Sequence, residues 1–212
     1  MRLGGTTSTS LNGVGIQNSL GGAAITTVNF RMNLEDTAGD IFIGVGSGTM
    51  FTGNGTFSTS NLMWAIQSDN GNLEYRTGSW NNSGQTLIAG TAYEFHIVAN
   101  RSGGTVNYGI YSVANGTMDL FINGTLIGND LAIANNQNAD GFRIYQTSGG
   151  SYADIDSITI DNTAVAPFTP TAVSLQNTAA TSSNSTGLVV VLAVVTLLGT
   201  SLWLRRRNNI TT

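Results

Sequence analysis

The chain has 212 residues, of which 41% are hydrophobic but only 9% charged, so its polarity comes from hydroxyls and amides rather than from ions. All eight basic residues are arginines, and upstream of the cluster Arg205, Arg206 and Arg207 five arginines face twelve acids; this balance excludes the basic stripe that a nucleic-acid partner needs. The absence of cysteine excludes a disulfide framework and any thiolate site.

No apolar run of about 7 to 15 residues follows Arg2, so an export signal is expected upstream of Met1 rather than within this chain. Residues 26–34 alternate Val28, Phe30, Met32 and Leu34 against Thr27, Asn29, Arg31 and Asn33, which predicts a strand with one buried face. Residues 41–45 predict its return. Residues 62–67 and 73–76 flank Asp69-Asn70-Gly71, a hairpin signal, and Trp64 inside the first of them is expected in the core. Trp80, in Gly-Ser-Trp-Asn-Asn, reads as a loop residue. Residues 93–100 place Tyr93, Phe95, Ile97 and Ala99 on one side and His96 on the other, where a surface histidine is expected. Residues 106–113 predict one further strand.

Residues 117–128 organise the middle of the chain. Met118, Leu120 and Ile122 fall on one side and Asp119 and Phe121 on the other, and Asn123-Gly124 supplies the positive φ of a type I′ turn before Leu126-Ile127. Residues 141–146 and 152–161 complete about ten short strands. Period-two segments joined by polar turns, with no helical apolar period before residue 188, predict an all-β antiparallel sandwich or jelly roll. It spans 1–167 and is followed by a Ser/Thr/Asn-rich linker at 168–187.

Residues 188–204 carry no charge and end on Arg205-Arg206-Arg207. Their 17 positions reach roughly 25 Å at ~1.5 Å per residue, at the short end for a membrane span. Trp203 stands where an interfacial aromatic belongs, and the arginines predict a cytoplasmic tail at 205–212 with the domain outside, at a cell surface or envelope.

The segments Tyr-Glu-Phe-His-Ile-Val-Ala-Asn at 93–100, Met-Asp-Leu-Phe-Ile-Asn-Gly-Thr-Leu-Ile at 118–127, Gly-Phe-Arg-Ile-Tyr at 141–145 and Ala-Asp-Ile-Asp-Ser-Ile-Thr-Ile-Asp at 153–161 resemble the later strands of the concanavalin A-like, laminin-G-like jelly-roll superfamily. The resemblance implies that fold over roughly 1–163. It leaves function open, because the superfamily holds lectins, adhesion modules, glycanases and passive surface domains. The tail resembles prokaryotic C-terminal sorting or anchoring signals, although Pro-Glu-Pro and Leu-Pro-x-Thr-Gly are both missing.

Retaining glycan hydrolysis needs two carboxyl groups about 5 to 5.5 Å apart. Asp154-Ile155-Asp156 has a two-residue spacing but no glutamate follows, and Asp156, sharing parity with Ile158 and Ile160, is expected to point inward as a hydrogen-bonded carboxylate. A non-catalytic domain is therefore expected. For recognition of glycans the candidate stacking residues are Trp80, Tyr111 and Tyr145. Calcium takes six to eight oxygen ligands; Asp130, Asn138 and Asp140, in the Asx-rich stretches around 129–130 and 135–140, are the candidates for it. Glycans, surface proteins and further copies of the chain are the expected partners.

Overall fold

The computed structural model describes residues 1–4, 12–48, 59–146 and 152–167. These lie in the compact unit Met1–Pro170. The expected linker, the apolar segment 188–204 and the tail with Trp203, Arg205, Arg206 and Arg207 lie outside the described residues. Among the described residues no helix is long and apolar enough to cross a membrane.

Among the described residues fourteen strands run in chain order: β1 (Arg2–Gly4), β2 (Asn12–Ile16), β3 (Ile25–Leu34), β4 (Ile41–Gly46), β5 (Leu62–Asp69), β6 (Asn72–Arg76), β7 (Trp80–Thr86), β8 (Ala92–Asn100), β9 (Val106–Tyr108), β10 (Tyr111–Val113), β11 (Thr117–Ile122), β12 (Thr125–Ala132), β13 (Gly141–Gln146) and β14 (Tyr152–Asp161). They form two six-stranded antiparallel sheets, ordered β1-β14-β3-β8-β11-β12 and β2-β13-β4-β5-β6-β7, and a two-stranded ribbon of β9 and β10. This is the antiparallel sandwich that the resemblance implies.

Alternation builds the core. Val28, Phe30, Met32 and Leu34 from β3, Phe95 and Ile97 from β8, and Met118 and Leu120 from β11 meet Ile41, Ile43, Val45, Trp64, Ile66 and Ile144 from the second sheet in one cluster. Phe30 and Phe95 stack with centroids 4.7 Å apart. Burying each such side chain stabilises the fold by about 1.5–3 kcal/mol. Trp64 brings a polar N–H into this interior and donates it to Thr26 Oγ1 at 3.4 Å, which is how a buried indole avoids losing a hydrogen bond.

The two Asn-Gly turns are as expected. Asn123 and Gly124 have φ of 50° and 75°, Asn70 and Gly71 of 49° and 81°, the left-handed pair that a two-residue hairpin turn requires. Residues 106–113 differ from the single strand expected. Gly109, at φ 59°, breaks them into β9 and β10, and this ribbon lies over the outer face of the first sheet. There Val98, Tyr108, Val113 and Phe121 form a second buried cluster, so Phe121, on the side of β11 away from the main core, is buried as completely as Leu120.

Two further expectations are corrected. Asp156 is exposed, not inward: the pairing of β14 with β3 shifts between Asp156 and Thr159, where Ser157 takes φ 55°, and such a bulge resets the parity of everything beyond it. His96 is buried, with 6% of its surface exposed. Its ring packs edge-on against Phe121, its Nε2 meets the Val165 carbonyl at 3.0 Å, and its Nδ1 meets the Asn29 side-chain amide. The segment after β14 thus covers it.

Candidate functional site

The outer face of the second sheet is built by register. Across it Gly13 pairs with Tyr145, Tyr145 with Phe42, Phe42 with Gln67, Gln67 with Glu74 and Glu74 with Asn82. One pleat away, Arg143 pairs with Gly44, and Arg76 with Trp80. All these side chains share one face because residues two apart on a strand do. Phe42 stands between two of the expected stacking residues. It stacks on Tyr145 at 4.7 Å and 5°, and meets Trp80 at 5.7 Å and 57°.

Polar groups frame this aromatic ledge. The Arg76 guanidinium lies 5.0 Å from the Trp80 ring centroid while its terminal nitrogen donates to Thr59 Oγ1 at 2.7 Å. Arg143 lies over Tyr145 at 5.3 Å. Gln67 Nε2 donates to Glu74 Oε2 at 2.5 Å, and Asn82 is exposed beside them. Trp80 and Phe42 are half-buried; Tyr145, at 3% exposed, packs beside Phe42 on the same face and offers almost no ring surface of its own.

Trp80 is in a strand, not a loop. The edge strand β7 reads Trp-Asn-Asn-Ser-Gly-Gln-Thr, with no alternation to give it away. It is held by pairing with β6 through a register shift and by Ser83 Oγ donating to Leu73 O at 2.6 Å. Phe42 and Arg76 were missed by sequence reasoning. The available signal was Phe42 itself, a large aromatic on the side of β4 opposite Ile41, Ile43 and Val45.

The third expected stacking residue is elsewhere. Tyr111 packs against Phe121 at 4.9 Å and Tyr108 at 5.8 Å on the other sheet, as part of the ribbon's buried cluster. Below it, the Tyr108 hydroxyl donates to Asp119 Oδ2, and Asp119 Oδ1 accepts the Asp130 N–H at 2.7 Å. Burial raises the pKa of Asp119, opposed by these two hydrogen bonds; burial, then the Asp119 partner, raises that of Tyr108. The outer face of the first sheet also holds a groove of about 540 Å³ past Asn29, Arg31, Glu94, His96 and Thr159. Its register sets Arg31 between Asp156 and Glu94, an exposed row of alternating charge.

The three candidate calcium ligands separate. Asp130 Oδ1 accepts from Ala114 N at 2.7 Å and Thr117 Oγ1 at 3.0 Å, tying down the turn before β11. Asn138 and Asp140 instead line an open pocket of about 580 Å³ at one end of the sandwich with Gly21, Gly22, Ser47 and Arg101. There Arg101 donates Nε to Asn136 Oδ1 at 2.5 Å and a terminal nitrogen to Asn138 Oδ1. The amide oxygens that calcium would use are turned to a guanidinium, and among the described residues no three His, Cys, Asp or Glu side chains gather as a metal set. These residues do not suit calcium, which needs six to eight oxygens free of a competing cation.

No protein-family model and no curated protein matches the chain. Among solved structures it is similar to a native heptameric SAP-like pentraxin from Limulus polyphemus, at 11% identity and TM-score 0.49 over 77% of this chain and 76% of the other. It is also similar to an endo-β-1,4-glucuronan lyase from Trichoderma reesei, at 10% and 0.48 over 76% and 79%, and to a sheep galectin, at 12% and 0.40 over 73% and 100%. Likeness at this level carries no function across, so the reading of the site rests on its own side chains.

Proposed function

We propose that the protein is a non-catalytic recognition domain that binds carbohydrate at the Trp80–Phe42 ledge and is displayed at a cell surface or envelope by its C-terminal segment. The observation that carries this reading is the meeting of Trp80, Phe42 and Tyr145 on one sheet face with Arg76, Glu74 and Asn82 beside them. An aromatic face accepts the apolar face of a pyranose, and amides, guanidinium and carboxylate then reach its hydroxyls. A non-catalytic role is supported by the engagement of both His96 ring nitrogens and by Asp154 and Asp156 standing exposed on the opposite sheet, with Asp154 3.5 Å from Arg2. Display at a surface is supported by the uncharged run 188–204 and its terminal arginines.

A glycan array probed with the full-length chain in detergent tests the proposal. Saturable binding to a defined set of glycans is expected. Folded protein that binds none of them contradicts it.

A second reading, assembly with further copies, is favoured by β2. It is an edge strand of sequence Asn-Gly-Val-Gly-Ile, uncharged, with Val14 42% and Ile16 43% exposed. Edge strands left without charge are templates for pairing with another chain.

A further inference from the structure

We propose that the pocket at the end of the sandwich is a second, calcium-independent binding site for the hydroxyls of a neutral sugar, in which Arg101 orders the side-chain amides of Asn136 and Asn138. The proposal rests on the carbohydrate reading above and concerns a different surface.

The walls of the pocket are fixed by the backbone. Ser19 N and Leu20 N both donate to the Asp140 carbonyl at 3.0 and 3.2 Å, Ala23 and Ala139 exchange bonds of 2.9 and 2.8 Å, and Asp140 N donates to Gly46 O at 2.8 Å. Arg101 is anchored by its own N–H to Ala24 O at 2.7 Å. A site held this way loses little freedom when a ligand arrives.

Arg101 then sets the polarity of the lining. Because the guanidinium takes the Oδ1 atoms of Asn136 and Asn138, each amide has its NH₂ left as a donor on the other side. Gln137 Oε1 accepts from Ser47 Oγ at 2.9 Å, so its NH₂ is a donor too. The Asn138 Nδ2 lies 3.8 Å from where a Cβ on Gly22 would stand, and a Cβ on Gly21 would meet nothing within 4 Å. The Asn138 donor therefore borders side-chain-free backbone, and Asn136 and Gln137 line the same pocket. Asp140 lines the same pocket and adds a carboxylate acceptor.

Three amide donors beside one carboxylate match vicinal hydroxyls, each of which both gives and receives a hydrogen bond. Arg101 and Asp140 cancel in charge, so the pocket has no net attraction for an anionic sugar. In many oxygen-rich loops a bound cation does the ordering; a covalently attached guanidinium does it here and repels a second cation from the same oxygens.

The test uses the isotope-labelled full-length chain, with galactose, glucose and mannose as probes and a calcium chelator present throughout. Saturable shifts of the Gly21, Gly22 and Asn138 amide resonances are expected for at least one sugar. Asn138→Ala is expected to weaken that binding about three- to tenfold, the value of one hydrogen bond, and Asp140→Asn, which keeps the side chain's shape, to do likewise. No shift at these amides with any of the three sugars overturns the proposal. Shifts confined to the Trp80 indole overturn this pocket and leave the ledge standing. Shifts at the pocket without any at Trp80 do the reverse.

Discussion

Burial shifts the proton equilibria of His96 and of the Tyr108–Asp119 pair. Burial lowers the His96 pKa from 6.5 to about 4, against the opposing pull of the Val165 carbonyl. Between those values the unfolded chain holds more protons than the folded one. The stability due to neutral His96 is therefore complete above pH 6.5 and lost as pH falls towards 4. Thermal unfolding of the wild type and His96→Gln across that window should show a slope in the first that is reduced in the second; parallel curves would remove the histidine from the account. Tyr108→Phe leaves the wholly buried Asp119 without one of its donors, and is expected to cost about 1–3 kcal/mol in urea unfolding. A change within error would mean that the buried pair is neutral to stability.

The elements show what kind of signal a sequence carries. Gly71 sits at φ +81°, and a Cβ there would come within 2.9 Å of Thr37 and 3.0 Å of the Leu87 carbonyl. Gly71→Ala should therefore destabilise the β5–β6 hairpin by about 1–3 kcal/mol, readable as faster exchange of the amides of β6. The turn was legible because Asn-Gly has one structural meaning between apolar runs, and so were β3, β8 and β11, where apolar residues recur at every second position. Strand β7 was not legible: after Trp80 its six residues are polar or small, and on an edge they need no alternation. Asp156 was placed inward because period two was carried across the Ser157 bulge, which no composition rule marks. His96 and Phe121 lie on faces that alternation correctly assigns away from the main core. For His96 the error was to equate that side with solvent, when the segment after β14 covers it, as the ribbon covers Phe121.

At the scale of the whole molecule, half of the candidate site was present in the sequence and half arose from topology. Trp80 was singled out for its loop-like surroundings and Tyr145 for its strand, yet nothing in the chain says that residues 65 positions apart share a face. The order β13-β4-β5-β6-β7 does that, with Phe42 as the link. The same order leaves β2 as an uncharged edge. If copies pair there, Ile16→Lys should abolish the larger species in light scattering; assemblies unchanged by it would place self-association elsewhere. Trp80 on β7 and Ile16 on β2 lie on the two opposite edge strands of this sheet, so the two proposals can be tested by separate substitutions.

The most direct test of the ledge is calorimetric titration of wild-type protein and Trp80→Ala with the glycan that binds best on the array, after matching their melting temperatures. Loss of the indole is expected to weaken binding at least about tenfold, or about 1.4 kcal/mol, with the fold unchanged because Trp80 lies outside the main core. Equal affinity of the two proteins for that glycan would contradict the account.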